Sequence, residues 1–171
     1  MKNELKNIIK ELSGNVLAIG ISQELVEVID KNEKIINCDI LSNEVSKEKK
    51  FSFFRRKTIN INKLRKKYKK KRIDYIICDY NIISPYIRKF VKNSVYINKN
   101  KLYFYGNIDT ELIKNMYGRY DTKINIKEYK KNYIVEIDNT NSKNNFIKDL
   151  CYSIKDTITY LIEVVGDILM G

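Results

Sequence analysis

Histidine and tryptophan are absent from the chain, and proline occurs once. The missing histidine removes Ser-His-Asp and Cys-His hydrolysis, histidine-metal chemistry and imidazole acid-base work together. Three cysteines, Cys38, Cys78 and Cys151, lie far apart with no Cys-x-x-Cys pair, so neither a disulfide framework nor a zinc site is indicated, and no metal is expected. That usage suits a reduced, cytoplasmic setting. Glycine is sparse at six residues, and they form no GxGxxG or P-loop pattern. No apolar run follows Met1-Lys2, which argues against a signal peptide, and no stretch nears the roughly 20 apolar residues of a membrane span.

What is present is length for one domain with a real core, at 171 residues. Ile, Lys, Asn and Tyr are abundant, a bias of AT-rich codons that weakens any argument from a single Lys or Asn. The net charge of +12 is concentrated. Between Lys47 and Arg72 there are 14 Lys/Arg against one acid, Glu48, while the remaining residues carry 19 basic and 20 acidic side chains. The basicity belongs to one segment.

The stretch Arg72-Ile73-Asp74-Tyr75-Ile76-Ile77-Cys78-Asp79-Tyr80-Asn81 organises the rest. Apolar residues on both parities predict a central parallel strand covered on both faces. Its polar closure marks the edge where such sheets place their ligands. Upstream, Leu5, Ile8, Ile9 and Leu12 are spaced for an amphipathic helix ended by Ser13-Gly14. Asn15–Gly20 reads as a buried strand, Ser22 as the N-cap of a helix to about Lys31, and Lys34–Ile40 as a second strand closing on Asp39. Residues 42–57 lack a period and read as a loop, Thr58–Asn62 as a short edge strand, and Leu64–Lys71 as a basic helix. Downstream, Ser84-Pro85 opens a helix with Ile87, Phe90 and Val91 on its buried face, and Leu102–Gly106 is a further strand. Asp109 caps a helix containing Leu112, Ile113 and Met116. Lys123–Lys127 and Tyr133–Ile137 form an antiparallel hairpin. A long amphipathic helix over 144–170 follows, with its apolar stripe set to pack on the domain, on a second copy in a homo-oligomer, or on a membrane or other partner.

Strands alternating with helices imply a right-handed, doubly wound, mostly parallel Rossmann-like α/β sheet, here closed by an antiparallel hairpin and flanked by N- and C-terminal helices. The domain proper spans 15–140, with the helix of 1–14 before it. This order resembles the class I S-adenosylmethionine-dependent methyltransferases over about Asn15 to Asn139. In that family the first strand ends in acidic-x-G-x-G-x-G. The matching run here is Ala18-Ile19-Gly20-Ile21-Ser22-Gln23-Glu24, with Gly20 at the first glycine, Ser22 at the second and Ala18 in place of the acid. The resemblance implies that Asp39, 19 residues after Gly20, faces the ribose hydroxyls of S-adenosylmethionine. It further implies that Asp79-Tyr80-Asn81 stands at the fourth-strand motif, without the Pro-Pro of amino-directed members. Gly20, Ser22, Asp39, Asp79 and Tyr80 are therefore the cofactor-binding candidates, and Asp79 is the nearest candidate for a catalytic base. Each has a plainer reading as a strand terminus. Methyl transfer is an in-line displacement driven by proximity and orientation, so a histidine-free chain is compatible with it.

The basic segment adds Phe51, Phe53, Phe54 and Tyr68 to its positive charge. Arg55, Arg56, Lys66, Lys67, Lys69 and Lys70 are candidates for nucleic-acid or other anion binding, with the aromatics as stacking surfaces. An anionic membrane surface suits the same features, as does a solvated, codon-biased lysine helix. The expected function is thus a methyltransferase-like protein of unknown acceptor with an eroded glycine motif. The alternative is a non-catalytic Rossmann-like binding or scaffold module acting through the basic segment and the last helix. Another nucleotide-binding Rossmann protein is disfavoured by the missing GxGxxG and P-loop patterns.

Overall fold

The computed structural model describes residues 1–42, 57–58 and 64–142, together with Ile154 and Ile158. The chain runs α1 (Lys2–Glu11), β1 (Gly14–Ile19), α2 (Gln23–Asp30), β2 (Ile35–Ser42), β3 (Lys57–Thr58), α3 (Leu64–Lys67) and β4 (Ile73–Asp79). It continues as α4 (Tyr80–Ile83), a 3-10 turn over Ser84–Tyr86, α5 (Ile87–Ile97), β5 (Asn98–Gly106), α6 (Thr110–Gly118), β6 (Lys123–Tyr129) and β7 (Asn132–Asp138). Seven strands form one sheet in the order β3-β2-β1-β4-β5-β7-β6. The first five pair in parallel, and β7 lies antiparallel between β5 and β6.

Alternation along the central strands builds two cores. Val16 and Ala18 of β1 join Leu5, Ile9, Leu25 and Ile29 under α1 and α2. Leu17 and Ile19 face the other way and join Ile76, Phe90, Phe104 and Tyr117 under α3 to α6. This two-sided burial is what the run of β4 demanded: Ile76, Ile77 and Cys78 are all fully buried. Outward-facing positions of β6 alternate with half-buried ones, as an edge strand requires. At the amino-terminal edge the Asp74 carboxylate accepts from the Asn15 backbone N–H at 2.8 Å, fixing β4 against β1.

Local chemistry sets the element ends. Asp109 caps α6 by accepting from the Leu112 N–H at 2.9 Å. Ser22 occupies the N-cap of α2 with extended backbone, although its side chain makes no capping bond.

Four boundaries differ from the sequence reading. β2 continues past Asp39 to Ser42, because Ile40 and Leu41 are buried and keep pairing with β1. β3 is described at Lys57–Thr58, so 59–62 of the expected edge strand lie outside the described residues. α3 stops at Lys67, after a single turn. The helix expected from Ser84-Pro85 is preceded by α4, and Pro85 sits in the 3-10 turn that joins α4 to α5. The C-terminal helix lies outside the described residues except at Ile154 and Ile158, both helical and both 52% exposed.

Candidate functional site

Strand order reverses between β1 and β4, since β1 leads outward to β2 while β4 leads the other way to β5. Open α/β sheets bind ligands at that switch point, outside the carboxyl ends of the strands. Three strand tips meet there: Gly20 after β1, Asp79 at the end of β4, and Gly106 at the end of β5.

Gly20 has φ +67, a left-handed conformation that glycine adopts without strain. Its surroundings are taken up by the protein itself. Its N–H donates to the Leu41 carbonyl at 2.8 Å, and its carbonyl accepts from the Tyr105 hydroxyl at 3.3 Å. A Cβ placed on Gly20 would stand 2.7 Å from Ile82 Cγ1 and 3.4 Å from Asp79 Cβ. Ile82, the third residue of α4, therefore packs directly against Gly20.

Asp79 is the N-cap of α4, and its Oδ1 accepts from the Asn81 N–H at 2.9 Å. Gly106, with φ +120, allows the Asn81 amide and the Asp79 carboxylate to sit close: a Cβ there would be 3.1 Å from Asn81 Nδ2 and 3.4 Å from Asp79 Oδ1. Tyr80, expected beside a cofactor, instead turns inward. It is 6% exposed and meets the Phe104 ring edge-on at 6.1 Å, because the first turn of α4 directs it into the core under α3 to α6.

Asp39 is placed differently from the sequence expectation. It pairs with Leu17, whereas Leu41 pairs with Ile19 at the tip of β1, so Asp39 lies two residues short of the β1 tip and three before the end of β2. Its Oδ2 accepts from the Tyr68 hydroxyl at 2.5 Å and pairs with Lys67 Nζ at 2.8 Å. Lys67 also donates to the Tyr68 hydroxyl. Burial, and then the Asp39 hydrogen bond, hold the Tyr68 phenol well above its usual range, so it stays a donor. The short α3 is thereby latched onto the carboxylate that the resemblance assigned to ribose.

Ser22 is exposed at the head of α2, and Glu24 in the same first turn is ion-paired with Lys2 and Lys6 of α1. Those two side-chain contacts hold the Glu24 carboxyl at about 2. Of the anion-binding candidates, Lys66, Lys69 and Lys70 are exposed, Lys67 is engaged with Asp39, and Arg55 and Arg56 lie outside the described residues. Among the described residues no group of three His, Cys, Asp or Glu could hold a metal ion. No helix among them is long and apolar enough to cross a membrane. A cleft of about 380 Å³, lined by Lys10, Val28 and the turn over Lys31 to Lys34, lies at the opposite, amino-terminal edge of the sheet.

The site thus gathers Gly20, Asp79, Asn81, Ile82 and Gly106, and leaves Asp39 on α3. Sequence reasoning missed Ile82 and Gly106. Gly106 had a signal, since it is a glycine closing an apolar strand at a sheet edge, whereas Ile82 had none beyond its apolar character.

No family model and no curated protein sequence matches the chain. Solved structures do. A S-adenosylmethionine-dependent methyltransferase from Archaeoglobus fulgidus aligns with TM-score 0.61 at 10% identity, over 80% of this chain and 92% of its own. A Methanococcus maripaludis protein assigned to the same class aligns with TM-score 0.61 at 10% identity, over 84% and 85%. The YcgJ protein of Bacillus subtilis aligns with TM-score 0.58 at 13% identity, over 75% and 71%. At such identities the likeness is one of fold: the chain has the class I methyltransferase-like, Rossmann-like architecture. The fold implies S-adenosylmethionine, yet the residues present do not form a cradle for it, because Ile82 covers Gly20 and Tyr68 with Lys67 engages Asp39.

Proposed function

We propose that this is a methyltransferase-like protein of degenerate type, with its cofactor edge closed by its own side chains. The observation that carries the reading is Ile82 against Gly20, where the family's ligand needs open backbone. Three further features support it. Ala18 replaces the motif acid and is fully buried, so nothing ionisable stands at that position. Asp39 is recessed and latched by α3. Asp79 spends one oxygen capping α4, which leaves it a local structural partner before any other role.

The likeness to solved S-adenosylmethionine-dependent methyltransferases favours a second reading, in which the cofactor is bound after Ile82 and the α3 latch move aside. Gly20, Asp39 and Asp79 would then be its contacts. Thermal unfolding in the presence of S-adenosylmethionine separates the two. A ligand at 100 times its Kd adds about 2.7 kcal/mol to stability. The degenerate site gives no shift of the transition. A shift that grows with the logarithm of ligand concentration establishes the second reading instead.

A further inference from the structure

Charge is sorted between the two helical layers. On one side, α1 and α2 together carry three lysines and five acids. On the other, α3 and α5 carry Arg65, Lys66, Lys67, Arg88, Lys89 and Lys92 with no acid, and α6 adds Lys114 and one acid, Glu111. Lys69 to Arg72, four consecutive cations, join α3 to β4 on that side. Lysine itself is spread over both layers, three in α1 and α2 against four in α3 and α5, so the asymmetry lies in the arginines and in the acids, which α3 and α5 lack. The two basic helices are also one surface: Arg65 Nη2 donates to the Lys92 carbonyl at 2.6 Å, and the guanidinium lies over the Tyr96 ring at 4.9 Å.

Lys66, Lys69, Lys70, Arg88 and Lys89 are exposed, and none of them is ion-paired with another described residue. Beside Arg88 and Lys89, at the N-cap of α5, Tyr86 is 54% exposed. Among the described residues of α3, the 3-10 turn and α5 it is the large exposed nonpolar side chain. An anionic membrane would be met by several apolar side chains flanking the cations, whereas cations around one exposed aromatic ring suit phosphates with an unstacked base. We propose that α3, α5 and Tyr86 form a docking surface for single-stranded nucleic acid, with the cations on phosphates and Tyr86 stacking on a base.

The test is fluorescence anisotropy of a labelled oligouridylate with the full chain over a salt series, with oligothymidylate and phosphatidylserine vesicles as separate arms. Each phosphate neutralised contributes about −0.7 to the slope of log K against log salt on single strands, so five cations give a slope of roughly −3.5. Arg88→Glu/Lys89→Glu weakens binding at least about tenfold and flattens the slope by roughly 1.4. Tyr86→Ala weakens it about tenfold with the slope unchanged, because stacking releases no counterions. Lys66→Glu/Lys69→Glu repeats the slope change from the α3 side, and an unchanged urea midpoint for each variant shows that folding is intact. Absence of saturable oligonucleotide binding at low salt overturns the proposal. So does binding that ignores Arg88→Glu/Lys89→Glu, or vesicle binding without oligonucleotide binding.

Discussion

Replacing Gly20 by alanine probes the filled edge most sharply. Two penalties combine. The φ of +67 is left-handed, which for an L-residue costs about 1 kcal/mol. The new methyl also lands 2.7 Å from Ile82 Cγ1, and a β-branched side chain held at Cβ has little freedom to swing away. Overpacking of this kind costs about 1–3 kcal/mol, so Gly20→Ala should lose about 3 kcal/mol in all. Ile82→Ala alone removes a half-buried side chain and should cost about 1–2 kcal/mol. In the Ile82→Ala background the clash is gone. Residue 82 then keeps only its Cβ, 3.3 Å from the new methyl, a separation that a shift of a few tenths relieves. Gly20→Ala should there cost only about 1 kcal/mol of backbone strain, leaving a coupling of about 2 kcal/mol between the sites. Urea unfolding of the four proteins measures this, with unchanged m-values confirming that only stability moved. Equal cost of Gly20→Ala in both backgrounds would refute the claim that Ile82 fills the approach to Gly20.

Two further outcomes follow from the same geometry. Tyr68→Phe removes the hydrogen bond to the Asp39 carboxylate and should cost about 1–2 kcal/mol in urea unfolding, whereas Lys67→Ala, at an exposed ion pair, should cost less than about 1 kcal/mol. Alkaline pH should destabilise the protein: burial first, then Asp39 and Asp30, pushes the Cys38 thiol from its ordinary 9.0 up to about 12, and burial raises Cys78 in the same direction. A folded-state value above the unfolded one means this stabilisation is complete below about pH 9 and lost as pH rises through 12, so the urea midpoint should fall across that window and fall less in Cys38→Val.

The fold was legible where pattern alone decides burial. The run Ile73 to Asp79 carries apolar residues on both parities, and its strand is covered on both faces as that pattern requires. The Lys123 and Tyr133 segments alternate and pair as an antiparallel hairpin. The depth of Asp39 was not legible, because Ile40 and Leu41 suit a strand or the start of a loop equally until β1 supplies their partners. Tyr68 lies 29 residues from Asp39, and nothing local announces their hydrogen bond. Tyr80 and Ile82 are neighbours of Asp79 in a run that reads as a polar strand closure. One turn of helix, α4, sends the first into the core and the second across Gly20. The sheet was thus written in periodicity, while the state of its ligand edge depends on contacts between segments distant in sequence.

That state is most directly tested by calorimetric titration of the purified protein with S-adenosylmethionine and, separately, with its demethylated product. The closed edge predicts no saturable heat with either compound. A saturable isotherm near one site per chain, weakened in Asp39→Ala, would contradict it and restore a working cofactor site.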